Sequence, residues 1–441
     1  SKVLSIFHDT IHVHRMNLRH LFSYIRPGLN TDSSKKHLAE SDVFCMAPWI
    51  QLHAQTQGEI TPCCMSAYKG DNIGSLRENS SLQHAWNSDK MKRIRLNMME
   101  GKKSSICSNC YCHQELGKFS DRMQYNRDYK DYYQRVKATM PDGTLQEKNI
   151  PVLDIRFSNR CNYKCRICNS NNSTQLYEEE LKLKRISPNT PKEVKAAADE
   201  TIFWESYKAL LPGAKRLHFA GGEPLLMDEH YQALEHLISI GKSDVTLSYN
   251  TNFSTLRYKQ FDLIGLWNKF RKVDVWASLD GMGAKGDYQR KGQRWKEIEE
   301  NIRTLQANAT TVLFGIDVTV SIFNILHIPE FYEYMVENKF VAPDRMNLYY
   351  LTDPDCFNVT NLTPQLKHKA IELYRSFSSG YLQQVSDSER IREHSAALIK
   401  HMLSDDLKKQ SEFRTRIAEV DALRNENFTA LFPELKEMMT N

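Results

Sequence analysis

Residues 150–352 predict an α/β fold: a partial (β/α)6 barrel of TIM type. A small hairpin-plus-helix region stands ahead of it and a helical region follows. Three observations carry this. Six strand-like segments alternate with helical ones across the span. Parallel strands joined through helices need right-handed crossovers, and a closed eight-stranded barrel would need two more units than the chain offers. The cysteines are clustered, with six of the ten between 43 and 118 and three more just after the first barrel strand.

The elements are justified in chain order. Residues 1–42 read as an extension with one short helix. In 43–118, "PWIQLHAQTQGEITPCC" reads as two short strands around Gln57-Gly58. "NSDKMKRIRLNMMEG" reads as a helix capped by Ser88 or Asp89 and ended by Gly101. Residues 119–149 are polar and tyrosine-rich and read as a connector with a solvated helix face. The barrel strands are "VLDIRF", "RLHFA", "DVTLSYN", "KVDVWASLD", "TVLFGIDVTV" and "RMNLYYL". Helices are expected over 173–186, 192–211, 228–240, 256–270, 294–308 and 327–338, with Thr190-Pro191 opening the second. Residues 353–441 are mostly helical. Thr363-Pro364 caps one helix, and Phe413, Ile417, Val420 and Leu423 share a face of another.

The chain has 441 residues, too many for one ordinary core. It is 41% hydrophobic and 26% charged, a globular composition. No apolar run approaches the length of a membrane span, and the first residues lack the apolar core of a signal peptide. The expected location is cytoplasmic, with no membrane partner. The net charge of +5 is too weak to imply nucleic acid. Clustered cysteines in such a chain point to metal or catalysis rather than disulfides.

The loop after the first barrel strand, "CNYKCRIC", places Cys161, Cys165 and Cys168 at Cys-x3-Cys-x2-Cys. Active sites of parallel barrels gather at the C-terminal ends of strands. Three thiolates on one loop can hold three corners of a [4Fe–4S] cube and leave the fourth iron open. A zinc knuckle with a distant fourth ligand is the alternative. The second strand ends in "FAGGEPLL". Gly221 and Gly222 remove side chains, so a ligand can come close to the backbone, and Glu223 offers a carboxylate to an ammonium group.

With these two motifs, residues 150–352 resemble the radical S-adenosylmethionine (SAM) superfamily. The resemblance implies that Cys161, Cys165 and Cys168 hold a [4Fe–4S] cluster whose open iron takes SAM. It further implies that Gly221, Gly222 and Glu223 meet the methionyl ammonium and that Asn250 to Asn252 face the cofactor. Ser278 and Asp280 would stand near the ribose or methionine, Arg290 near the carboxylate and Asn324 near the adenosine. For Asn252 and Asn324 a loop-capping role is an equal alternative. Ile167 takes a position that is usually aromatic in the family.

Upstream, Cys45, Cys63, Cys107 and Cys110 can close a four-thiolate site, and the text between them resembles SPASM and Twitch auxiliary-cluster domains. The resemblance implies a second, auxiliary [4Fe–4S] cluster in a Twitch-like domain that precedes the barrel. Zinc is the alternative, and Cys64 could replace Cys63.

The expected function is therefore radical SAM chemistry on a ribosomally synthesised peptide. The electron donor would be a flavodoxin or ferredoxin. Cα epimerisation is the sharpest form, with Cys356 in "LTDPDCFNV" as hydrogen-atom donor; its turn-like surroundings favour an exposed thiol, and a buried cysteine acting as a small apolar residue is the alternative. Peptide crosslinking and auxiliary-cluster-assisted dehydrogenation of a small alcohol or sugar are the alternatives.

Overall fold

The computed structural model describes residues 41–440 apart from 70, 80, 116–119 and 405–407. The short helix expected before residue 41 lies outside the described residues. Nine strands form one sheet: β1 (Gln51–Ala54), β2 (Glu59–Thr61), β3 (Gly74–Ser75), β4 (Val152–Ile155), β5 (Arg216–Phe219), β6 (Thr246–Thr251), β7 (Lys272–Ser278), β8 (Val312–Val320) and β9 (Met346–Tyr350). Strands β4 to β9 are parallel and adjacent in chain order, which is the expected six-stranded partial barrel.

The upstream hairpin does not stand apart from this sheet. β1 pairs with β2 antiparallel and with β4 parallel, setting Gln51 opposite Val152 and His53 opposite Asp154. The region carrying the first cysteines therefore continues the barrel's edge, which satisfies the backbone groups that β4 would otherwise expose.

Each barrel strand has an apolar outer face and a polar inner one. On the outside, Phe219 packs edge-on to His230 of helix Asp228–Ser239, and Tyr249 packs against Trp267 of helix Leu263–Trp267. The alternate positions, among them Asp154, His218, Ser248, Asn250, Asp274 and Asp317, occupy the inner face.

Several local expectations hold. Ser88 rather than Asp89 caps helix Asp89–Met99, accepting from Met91 N, and Gly101 follows with φ +71°. Thr363 caps helix Pro364–Ser379 through Leu366 N. Helix Gln410–Arg424 buries Phe413 and Ile417.

Others fail for identifiable reasons. Residues 192–199 are not helical, and the helix begins at Glu200 behind Asp199, which accepts from Ile202 N. The alanine-rich stretch is instead tied to the cysteine loop: Ala196 N donates to Phe157 O, and Val194 N donates to the Asn159 side chain. Residues 256–270 are mostly a small hairpin, with only Leu263–Trp267 helical. The connector is not a solvated face. Its helix Asp121–Asp128 buries Arg122, which donates to Ser41 O and Phe44 O, and Asn126, which accepts from Met46 N. Among the described residues no helix is long and apolar enough to cross a membrane.

Candidate active site

The loop after β4 is shaped by Asn159, which is fully buried. Its amide nitrogen donates to Ser170 O and Lys192 O, so it buckles both ends of the cysteine segment together. Lys164–Cys165 then pairs antiparallel with Arg290–Lys291, setting Cys165 opposite Arg290. Cys161, Cys165 and Cys168 are mutual electrostatic neighbours. Burial pushes all three thiols up, Cys161 to about 12, so thiolates here need a cation beside them. A three-cornered thiol set of this kind fits an iron–sulfur cluster, whose positive irons supply that partner.

The Gly-Gly-Glu turn after β5 lies against this loop. Glu223 N donates to Arg160 O at 2.7 Å, and Gly222 N donates to Ser158 O. A Cβ on Gly222 would lie 2.1 Å from Arg160 O, and one on Gly221, where φ is +113°, would lie 2.9 Å from the Arg156 Cβ. The glycines were expected to admit a ligand to the backbone. Within the chain itself, Gly222 gives room to the cysteine loop and Gly221 to Arg156 at the end of β4. Glu223 is 1% exposed, and its two carboxylate oxygens accept from Thr251 Oγ1, Leu225 N and Asn252 N. It braces the turn to the end of β6. Burial raises its carboxyl to about 7 in spite of those donors.

The remaining candidates sort into two groups. Asp280 and Arg290 form a buried pair, Asp280 Oδ2 to Arg290 Nε at 2.8 Å, and Arg290 Nη1 stands 4.0 Å from Cys165 Sγ. Burial works against the Arg290 charge, but Asp280 and the nearby thiols outweigh it. Ser278 ends β7 opposite Asp317. Asn250 donates to Asp317, which also accepts from Asn347, and burial raises Asp317 to about 6. Ile167 is half-buried within the cysteine loop. Asn252 and Asn324 are loop caps: Asn252 bonds Asn162 and Ser254 N, while Asn324 accepts from Ser321 N and donates to Asp280 O and Thr319 O.

Upstream, Cys45, Cys63, Cys107 and Cys110 line one pocket together with Met65, Tyr125 and Arg122. Cys64 is not among its lining residues and is only half-buried. Burial raises the four thiols, Cys107 to about 12 and Cys110 to about 11, and Cys110 raises the other three further. Four thiols lining one pocket fit the four-cysteine set of an iron–sulfur cluster. Among the described residues no three His, Cys, Asp or Glu side chains are gathered closely enough to grip a single metal ion.

Cys356 takes the buried alternative and not the exposed one that its turn-like surroundings suggested: it is 0% exposed, in a short 3-10 turn facing helix Gln410–Arg424, and its thiol is pushed up to about 12 by burial.

Sequence reasoning missed two features. One is the clamp on the cysteine loop. Arg166 donates to Asp421 and Glu426, and Arg424 donates to Glu179 and Lys164 O. The partners lie more than 240 residues apart, and no local pattern marks them. The other is a polar row on the inner face. His53, Asp154, His218 and Ser248 stand in register on β1, β4, β5 and β6. The alternation in "QLHA", "VLDI", "RLHF" and "TLSY" could have found it.

Residues 45–111 match the family described as SPASM, an iron–sulfur cluster-binding domain. No curated protein matches the chain. Solved structures give distant likenesses. "Native anSMEcpe with bound AdoMet and Cp18Cys peptide" is 17% identical, with 53% of this chain and 61% of that one covered, at TM-score 0.37. SuiB of Streptococcus suis bound to precursor peptide SuiA is 12% identical, with 76% and 69% covered, at TM-score 0.37. The chain thus spans less than two thirds of the first of these, and neither is near enough to transfer an activity. A match to a SPASM-type iron–sulfur domain at 45–111 thus stands beside a three-cysteine loop locked to a Gly-Gly-Glu turn on a six-stranded parallel sheet.

Proposed function

We propose that the chain modifies a ribosomally synthesised peptide by hydrogen-atom abstraction. The observation that carries the radical SAM part is the Glu223 N to Arg160 O bond, which fixes the turn directly beside the three thiols. A [4Fe–4S] cluster on Cys161, Cys165 and Cys168 with SAM on its open iron supplies, when bound, a 5′-deoxyadenosyl radical. The chain's own residues do the placing. Arg290, held by Asp280, sets a positive charge beside Cys165. The polar inner face of β4 to β8 offers the substrate hydrogen-bonding groups within the sheet's curve. The four upstream cysteines would hold the auxiliary cluster.

A peptide substrate is supported by the SPASM match together with the breadth of the inner face, which runs from β1 to β9. The test is anaerobic reconstitution with iron and sulfide, followed by reduction with SAM present. Formation of 5′-deoxyadenosine that is lost in Cys165→Ala supports the reading; equal formation in that variant overturns it.

Epimerisation with Cys356 as donor is the finer proposal, and it requires helix Gln410–Arg424 to uncover a thiol that is now buried. Solvent deuterium entering a peptide α-position, and lost in Cys356→Ala, would support it. Unchanged inversion in that variant would assign the hydrogen-atom donor elsewhere, whereas no inversion by the natural protein would leave crosslinking or dehydrogenation through the auxiliary cluster.

A further inference from the structure

The inner-face row contains buried groups that the protein itself does not satisfy. Asp154 is 3% exposed, and its Oδ2 lies 2.9 Å from His53 Nδ1. Its Oδ1 has no hydrogen-bond partner. Arg156, two residues on and on the same face, has an Nε with no acceptor either, and its side chain is 26% exposed. Nε and Oδ1 are 4.0 Å apart, too far for a hydrogen bond to each other. Unpaired buried polar groups are rare and costly, so this donor and this acceptor call for an occupant.

Their position says where the occupant sits. The Arg156 Cβ is the atom closest to where a Gly221 Cβ would be, so the side chain leaves the backbone beside the Gly-Gly-Glu turn. On the other side, Asp154 and Arg156 are electrostatic neighbours of the half-buried Cys64, next to the auxiliary pocket. The pair therefore lies between the two cysteine sites.

Their chemistry says what it is. One donor beside one acceptor matches a group with one acceptor beside one donor. The primary amide of an Asn or Gln side chain has its O and N about 2.3 Å apart and presents both to one side, whereas a trans main-chain amide points its C=O and N–H in opposite directions. Two hydrogen bonds of about 2.9 Å converging on it close a ring over a 4.0 Å gap. A carboxylate would meet Asp154 Oδ1 with like charge. A cation would meet Arg156. The two charges offset, so a neutral amide adds none to a buried place.

We propose that Arg156 and Asp154 form a substrate subsite that grips the side-chain amide of one Asn or Gln of the peptide. This rests on the reading of the substrate as a peptide. Arg156 donates from Nε to the amide oxygen, and Asp154 Oδ1 accepts the amide N–H.

The probe is a random twelve-residue peptide library displayed on its encoding RNA, selected against the anaerobically reconstituted enzyme with SAM. Enriched peptides should bind Arg156→Met at least tenfold more weakly at unchanged iron content, with Arg156→Lys in between. Replacing one Asn or Gln of an enriched peptide by Leu should cost a similar factor on the natural protein. The same change should cost nothing further on Arg156→Met. Enriched peptides that bind Arg156→Met and Arg156→Lys as tightly as the natural protein overturn the subsite and leave the peptide reading standing. A library that yields no binder overturns the peptide reading and the subsite with it. Should Arg156→Met lose iron, Arg156→Lys decides: weakened binding supports the subsite and unchanged binding overturns it.

Discussion

Arg166 lies 3.6 Å over the ring of Tyr288 and donates to both Asp421 and Glu426 at 2.5 Å. It sits between the second and third cysteines of the loop, and its side chain is 1% exposed. The C-terminal helix thus reaches back to hold the loop that carries three thiols. The double variant Asp421→Asn, Glu426→Gln would leave a buried guanidinium without an anion, a loss of about 3–5 kcal/mol. Arg166→Met should cost less, because the carboxylates it frees are 13% and 14% exposed and can reach water. Denaturant unfolding of the three proteins gives the ranking.

Gly222→Ala tests the lock between turn and loop. The added Cβ would need space now taken by Arg160 O at 2.1 Å. That oxygen is backbone next to Cys161, so the relief is displacement of the cysteine loop. Reconstituted iron should fall by about half, as expected when one of two four-iron clusters is lost. Iron equal to that of the natural protein would show that the loop tolerates the shift.

Cys63 and Cys64 are neighbours in sequence with different surroundings. Only Cys63 lines the pocket shared with Cys45, Cys107 and Cys110. Cys63→Ala should lose the auxiliary iron, and Cys64→Ala should keep it. Iron and sulfide per chain after reconstitution distinguish the two, and the reverse pattern would reassign the ligand.

Buried histidines make stability fall in mild acid. Burial lowers His230 to about 3, and burial with Arg390 nearby lowers His394 to about 4. Both titrate near 6.5 when unfolded. Between those values the unfolded chain binds protons that the folded chain does not, so stability is full above about pH 6.5 and declines toward pH 4. His230, with burial as its sole cause, contributes on the order of 4 kcal/mol of this. The unfolding midpoint measured from pH 7 to pH 4 should fall along this course, and His230→Gln should flatten it.

Much was legible because it is local. A cysteine loop of fixed spacing, strands of period two and a serine ahead of a helix each leave a mark within a few residues. The helix expected over 192–211 shows the limit. Its alanine-rich start has helical propensity, but Asn159 and Phe157 hold it extended from another part of the chain. Cys356 shows it again, since a turn-like sequence was covered by a helix that begins more than fifty residues later.

Spacing and periodicity are properties of neighbouring residues, so the six-unit parallel sheet, the two cysteine groups and the Gly-Gly-Glu turn were legible along the chain. Tertiary structure alone decided that the upstream hairpin joins the barrel sheet through β1 and β4, that Glu223 braces β6, and that the C-terminal helix clamps Arg166. It also decided that Asp154 and Arg156 face inward with unsatisfied groups. These depend on which distant surfaces meet, and the free energy of burying a charge or leaving a donor unpaired is set only when they do.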